Sequence, residues 1–204
     1  MKQGQILGCV TVLMAILFAT QTAVYANHFI AGGGRYSITM NTSEISVRCQ
    51  FLGVLTGLPD TPTPVIETHV QCAILHPDSS TPFQLFISGT EVNPFTVVED
   101  SETQHTITIT GKVLSRFVSG VAPDDQHLTE IVNFEVIAVD AALPGAGVDS
   151  MTLRLDYRAT DGTAPLLLDA FGPDLVSCNA DVCKLTLTGV LTEGEIESHT
   201  SGGD

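Results

Sequence analysis

The chain has no tryptophan, and aromatic residues make up 6% of its 204 positions. Sugar-binding sheets present flat rings to the C–H faces of their ligands. Here the two tyrosines past residue 26, Tyr36 and Tyr157, fall on the apolar side of alternating runs, and so do Phe51, Phe83, Phe95 and Phe134. Recognition of sugars by stacking is therefore disfavoured. Basic residues are also scarce, 8 Lys and Arg against 23 Asp and Glu, for a net charge of −15. So acidic a surface repels nucleic acid and anionic lipid head groups, which are bound by neutralising phosphates. It leaves divalent cations and basic partners open. The signatures of common enzymes are missing too. There is no G-x-S-x-G elbow, no H-E-x-x-H and no P-loop, and "GGGRYS" opens no helical pattern.

One long apolar run is present. Lys2 precedes the stretch from Ile6 to Ala19, and small residues at Val24 and Ala26 suit cleavage after Ala26. This is the pattern of a secretory signal over residues 1–26; the run is short for a membrane span, which takes ~20 apolar residues. The "ILGC" ending at Cys9 is lipobox-like, but too few apolar residues precede it. Cleavage leaves residues 27–204 as a single domain with no further membrane span. All the acidic residues stay and Lys2 goes, taking the net charge from −15 to −16. The expected location is extracellular or periplasmic.

Four cysteines remain, Cys49, Cys72, Cys178 and Cys183. An even count in an exported chain reads as disulfides, and proximity on neighbouring strand patterns favours Cys49–Cys72 and Cys178–Cys183. A four-thiolate zinc site fits less well, because paired C-x-x-C units are lacking and an oxidising compartment disfavours free thiolates.

Strict alternation of apolar and polar residues runs through Ile45–Phe51, His105–Thr110, Met151–Tyr157 and Cys183–Thr188. Such alternation puts one face on a core and the other in water, as in antiparallel sheets. Further strands are expected at Arg35–Met40, Val65–Leu75, Phe83–Ser88, Phe95–Val98, Val113–Val118 and Ile131–Val139. Turn-forming clusters separate them at 41–44, 57–64, 76–82, 121–125 and 178–183. About ten short strands imply an all-β fold, an antiparallel β-sandwich or jelly-roll-like domain stabilised by disulfides. Asn27–Gly34 reads as a flexible lead-in, Leu166–Phe171 as a helical turn or buried strand, and the tail from Glu193 as polar and fraying after His199.

The segment 138–149, "AVDAALPGAGVD", invites a chemical reading because Asp140 and Asp149 bracket it. Calcium needs about six to eight oxygens, and Asp140, Asp149, Ser150 and backbone carbonyls are the local supply. A connection between two strands is the stronger reading, since alternation flanks the loop on both sides. Pro144-Gly145 suits the centre of a type II turn. No other cofactor is expected. The six histidines are scattered singly, so a metal site would need His69, His105 and His199 to converge from a distance. The 23 acids could supply a carboxylate pair by chance alone. Asn41-Thr42-Ser43 is a glycosylation sequon, meaningful only in a eukaryotic source.

Three segments taken together resemble a family: "AGGGRYSI" (31–38), "VNFEVIAVDAALPGAGVDSMTLRL" (132–155) and "CKLTLTGVLTEGEIESH" (183–199). They are similar to the uncharacterised β-rich modules of secreted bacterial proteins termed post-COAP-type domains. Asp140, Pro144, Gly145 and Asp149 match that family's loop motif, and Gly194, Ile196 and His199 match its closing motif. Ala142 stands where the family usually has glycine, the loop before Asp149 is longer, and residues 52–130 show no match. The resemblance covers about a third of the mature chain and implies a secreted β module with no established activity. The expected role is non-enzymatic binding, adhesion or envelope structure with an extracellular partner. The alternatives are a hydrolase built from scattered Asp, Glu and His, and a calcium-dependent module using the 140–149 loop.

Overall fold

The structure is a computed structural model that describes residues 27–40, 43–56, 65–76, 82–93, 95–101, 104–120, 126–141, 149–159 and 162–201. The expected signal segment, Asn41, Thr42, the turns at 57–64 and 121–125, residues 77–81 of the 76–82 turn, and Pro144-Gly145 lie outside the described residues.

Eleven strands form one antiparallel sheet: β1 (Asn27–Met40), β2 (Ser43–Thr56), β3 (Val65–His76), β4 (Phe83–Val92), β5 (Thr96–Ser101), β6 (Gln104–Ser119), β7 (Gln126–Asp140), β8 (Ser150–Arg158), β9 (Val176–Cys178), β10 (Val182–Val190) and β11 (Glu193–Ser201). The all-β expectation holds, and every expected strand lies within one of these elements except Phe95–Val98, whose Phe95 precedes β5. Several run to 14 residues or more, longer than the short strands expected. Neighbours in the sheet run β11-β1-β2-β3-β4-β6-β7-β8-β10-β9, with β5 also on β6. From β1 to β8 the connectivity is a meander in which β4 and β5 act as one interrupted strand along β6; β10 then pairs with β8, β9 flanks β10 and β11 returns to β1. At the interruption Asn93 stays attached, its N–H donating to the Thr110 carbonyl (2.9 Å) and its side-chain amide to Thr110 Oγ1 (3.1 Å).

The sheet curls until its two ends meet. The link from β10 to β11 carries the chain across: Leu191 N–H donates to the Asp149 carbonyl and Thr192 N–H to the Arg35 carbonyl, each at 2.8 Å. The Tyr36 hydroxyl donates to the Leu187 carbonyl at 3.1 Å. One face of the alternating strands forms the enclosed core, which includes Tyr36, Ile74, Leu85, Ile109, Leu153 and Tyr157. Burial raises the phenol pKa of both tyrosines well above the ordinary value. Tyr157 also pairs with the buried Ser115 hydroxyl at 2.7 Å.

One open alternative is resolved and two expectations are corrected. Leu166–Phe171 belongs to a helix, α1 (Thr163–Leu175), broken near its end at Gly172 (φ 70°) before Pro173. Its Phe171 packs on Phe83 and Phe117, with ring centroids 4.4 and 6.1 Å apart, and closes one end of the core. Burying a ring of this size contributes about 1.5–3 kcal/mol. Asn27–Gly34 is no flexible lead-in but the first half of β1, paired to both β2 and β11. The glycines serve close approach: a Cβ on Gly32 would sit 2.7 Å from the Phe51 ring, and one on Gly34 would meet the Glu193 carbonyl. The tail from Glu193 is ordered by the same pairing, and β11 continues past His199 to Ser201.

Both expected disulfides are present. Cys49–Cys72 joins direct register partners on β2 and β3, with Cα atoms 4.1 Å apart and 23 residues of separation. Cys178–Cys183 does the same across β9 and β10, at 4.0 Å. Among the described residues no helix is long and apolar enough to cross a membrane.

Candidate functional site

Asp149 is 1% exposed, an unusual place for a carboxylate. Its Oδ1 accepts the Ala141 N–H at 3.1 Å and its Oδ2 accepts the Ile196 N–H at 2.9 Å. Both oxygens therefore go to the backbone, one to the end of β7 and one to β11. Asp149 ties the β7–β8 connection to the far edge of the curled sheet. Asp140 lies beside it, its Oδ2 accepting from Ser198 Oγ at 3.4 Å. Ser198 Oγ is also 2.6 Å from His105 Nδ1. Among the described residues no three His, Cys, Asp or Glu side chains are placed to hold a metal ion.

The described residues of the segments 31–38, 132–155 and 183–199, far apart in the chain, converge at this seam. Gly33 and Gly34 face Gly194, which adopts a φ of 96° and, having no Cβ, lies against β1 where a Cβ would meet the Gly33 carbonyl. Ile196, two residues on, donates to Asp149. Glycine, aspartate and isoleucine at these positions serve the closing of the sheet.

A different place gathers exposed groups. On the outer face of β2, β3, β4 and β6 the register aligns Arg48, Ala73, Phe86 and Arg116 in one row. Phe86 is 43% exposed. It occupies a polar-side position in β4, between buried Leu85 and Ile87. By sequence, Phe51, Phe83, Phe95 and Phe134 are placed on apolar sides and Phe86 is passed over. Its signal was present in the parity of "FQLFIS", where Phe83, Leu85 and Ile87 take the inner face.

The next row, which continues through Gly33 to Glu195 of β11, holds Gln50 and Gln71, joined by a hydrogen bond from Gln50 Nε2 to Gln71 Oε1 at 3.0 Å. A shallow hollow of about 340 Å³ lies over Arg48, Gln50, Gln71, Ala73 and Phe86. A second, of about 500 Å³, extends from the same glutamine pair to Leu52, His69 and Ala31. The two share Gln50 and Gln71 in their linings.

Charge on this face runs against the chain as a whole. Among the described residues, the Arg48 row and the rows on either side of it carry no Asp or Glu across β2, β3, β4 and β6. The ion pairs seen among the described residues are Lys112–Glu91 (2.8 Å) and Arg154–Glu135 (2.6 Å), and neither involves Arg48 or Arg116. Arg35 stands directly opposite Arg48 across β1 and β2. Like charges so placed are destabilising. Arg35 has Glu193 on its other side and donates to Ser46 Oγ at 3.0 Å. Away from this face, burial raises the Glu130 carboxyl above its usual range, opposed by a hydrogen bond from the Arg158 backbone and by the Arg158 charge.

No family model, curated protein or solved structure matches the chain.

Proposed function

We propose that this protein is a secreted, non-enzymatic binding module of the adhesive or envelope-associated kind, and that the outer face of β2, β3, β4 and β6 is its contact surface. The observation that carries the reading is Phe86, an exposed ring set between Arg48 and Arg116 on an acid-free area of an acidic chain. Isolated exposed apolar residues are ordinary, but an aromatic in line with two arginines, one of which shares a hollow with it, is the composition of contact surfaces. Secretion is supported by the apolar N-terminal segment and by two disulfides, which persist in oxidising compartments. The partial resemblance to post-COAP-type modules agrees with export and adds no activity.

The test is retention of the purified protein on insoluble cell-surface material from its source, comparing wild type with Phe86→Ala and with an outer-face control, Thr152→Ala. Loss of retention in Phe86→Ala alone supports the reading. Equal retention of all three removes this face from the function.

A hydrolytic reading rests on the contact between His105 Nδ1 and Ser198 Oγ. Its weakness is geometric: Asp140 reaches the serine, whereas a triad carboxylate orients the imidazole. A fluorophosphonate probe that labels wild type but not Ser198→Ala would establish this reading, and absence of labelling would end it.

A further inference from the structure

We infer that the ligand of this face is a short acidic oligosaccharide, a chain of uronate sugars whose carboxylates meet Arg48 and Arg116 while a ring lies on Phe86. The inference rests on the binding-face reading above and adds the ligand's chemistry. Arg48 and Arg116 are three strands apart along one row, a span of roughly 14 Å at ordinary strand spacing. Phe86 and Ala73 occupy the two strands between them. A ligand crossing the row meets guanidinium, a small flat residue, an aromatic face and guanidinium again. Arginine's planar fork matches a carboxylate in two parallel hydrogen bonds. The aromatic residues on core faces offer no platform for a sugar, but Phe86 is exposed, and the negative face of its ring attracts the polarised C–H groups of a pyranose. The Gln50–Gln71 pair, with a spare N–H and spare lone pairs, faces ring hydroxyls.

An acidic peptide fits less well. Extended peptides bind sheets through main-chain hydrogen bonds at an unpaired edge. Each of β2, β3, β4 and β6 is paired on both sides, so this face offers side chains only. The acidic charge of the rest of the molecule limits the ligand's length but does not forbid it. Screening confines each charge to ~8 Å at physiological ionic strength, so a short uronate on the acid-free area meets the arginines and not the distant carboxylates.

The experiment is calorimetric titration of the full chain with oligogalacturonate and oligomannuronate, with the methyl-esterified form of each and with poly-glutamate as comparisons. Binding of a free uronate at least tenfold tighter than its ester is expected. Arg48→Gln and Arg116→Gln should each weaken it about tenfold, as loss of a charge-assisted hydrogen bond does. Phe86→Ala should weaken both free acid and ester. All three positions are exposed, and circular dichroism of the variants confirms that they fold. Equal, Phe86-dependent binding of acid and ester overturns the acidic class while leaving the binding face intact. Poly-glutamate binding as tightly as the uronates overturns it in favour of an acidic peptide. No binding of any of these probes overturns the inference, and the retention experiment then decides separately whether the face functions at all.

Discussion

Replacing Asp149 with alanine opens the seam of the sheet and leaves two backbone donors without their acceptor. Ile196 is buried, so its N–H has no route to water, and its loss falls at the upper end of the roughly 1–3 kcal/mol cost of an unsatisfied buried group. Ala141 is only partly buried, so its N–H costs about 1 kcal/mol. The expected destabilisation is about 4 kcal/mol. At ~2–4 °C per kcal/mol for a domain of this size, the melting temperature falls by ~8–16 °C. Asp149→Asn keeps one carbonyl oxygen and turns an amide toward the other donor, so it should lose about half as much. Urea unfolding at unchanged m-value measures both. A loss below about 1 kcal/mol in Asp149→Ala would refute the seam argument. The same protein tests the cation reading of the 140–149 loop. If Asp149 serves the backbone alone, millimolar calcium leaves the melting temperature unchanged. A rise of several degrees that disappears in Asp140→Ala would assign the carboxylates to a metal.

The disulfides should contribute unequally. Cys49–Cys72, closing the longer loop, is worth ~3 kcal/mol in the chain-entropy model and Cys178–Cys183 ~2 kcal/mol, so the Cys49→Ala/Cys72→Ala double variant should be the less stable in urea. Tyr157→Phe strands the buried Ser115 hydroxyl at a cost of about 1–2 kcal/mol, and adding Ser115→Ala should recover part of it; a strictly additive cycle would dismiss the pairing. Both core tyrosines have raised pKa values, so their contribution is complete below the unfolded phenol value of ~10 and is lost as pH rises past it. Phenolate absorbance from Tyr36 and Tyr157 should therefore appear only together with alkaline unfolding, and gradual ionisation of the folded protein would contradict their burial.

Alternation made the strands legible because the side-chain period of two is a local property. It assigned Tyr36, Phe51 and Leu153 to the core without reference to any partner strand, and the disulfides followed from cysteines on neighbouring runs. Gly32–Gly34 misled because glycine carries no side chain to mark a face. Its meaning depends on Phe51, Leu191 and the Glu193 carbonyl, which arrive from β2 and from the far end of the chain. The seam role of Asp149 was not legible locally either, since Ile196, whose N–H it accepts, is 47 residues away. Leu166–Phe171 was too short to carry a helical period, and its helix is fixed by Phe171 packing on Phe83 and Phe117.

The candidate face shows where local reading stops. That Phe86 points outward is contained in β4 alone, but that Arg48 and Arg116 lie in its row is a matter of register. A slip of one residue between paired strands reverses the faces, and a slip of two keeps the faces and changes the neighbours. Between β2 and β3 a two-residue slip would set Arg48 beside Gln71 or Leu75 and part Gln50 from Gln71, without exposing any core residue. The hydrophobic pattern cannot prevent that; the Cys49–Cys72 bond can, because it joins the register partners adjacent to Arg48–Ala73 and lies between that pair and Gln50–Gln71. The same disulfide that closes the longer loop thus also fixes which side chains a ligand would meet on the opposite face of the strands.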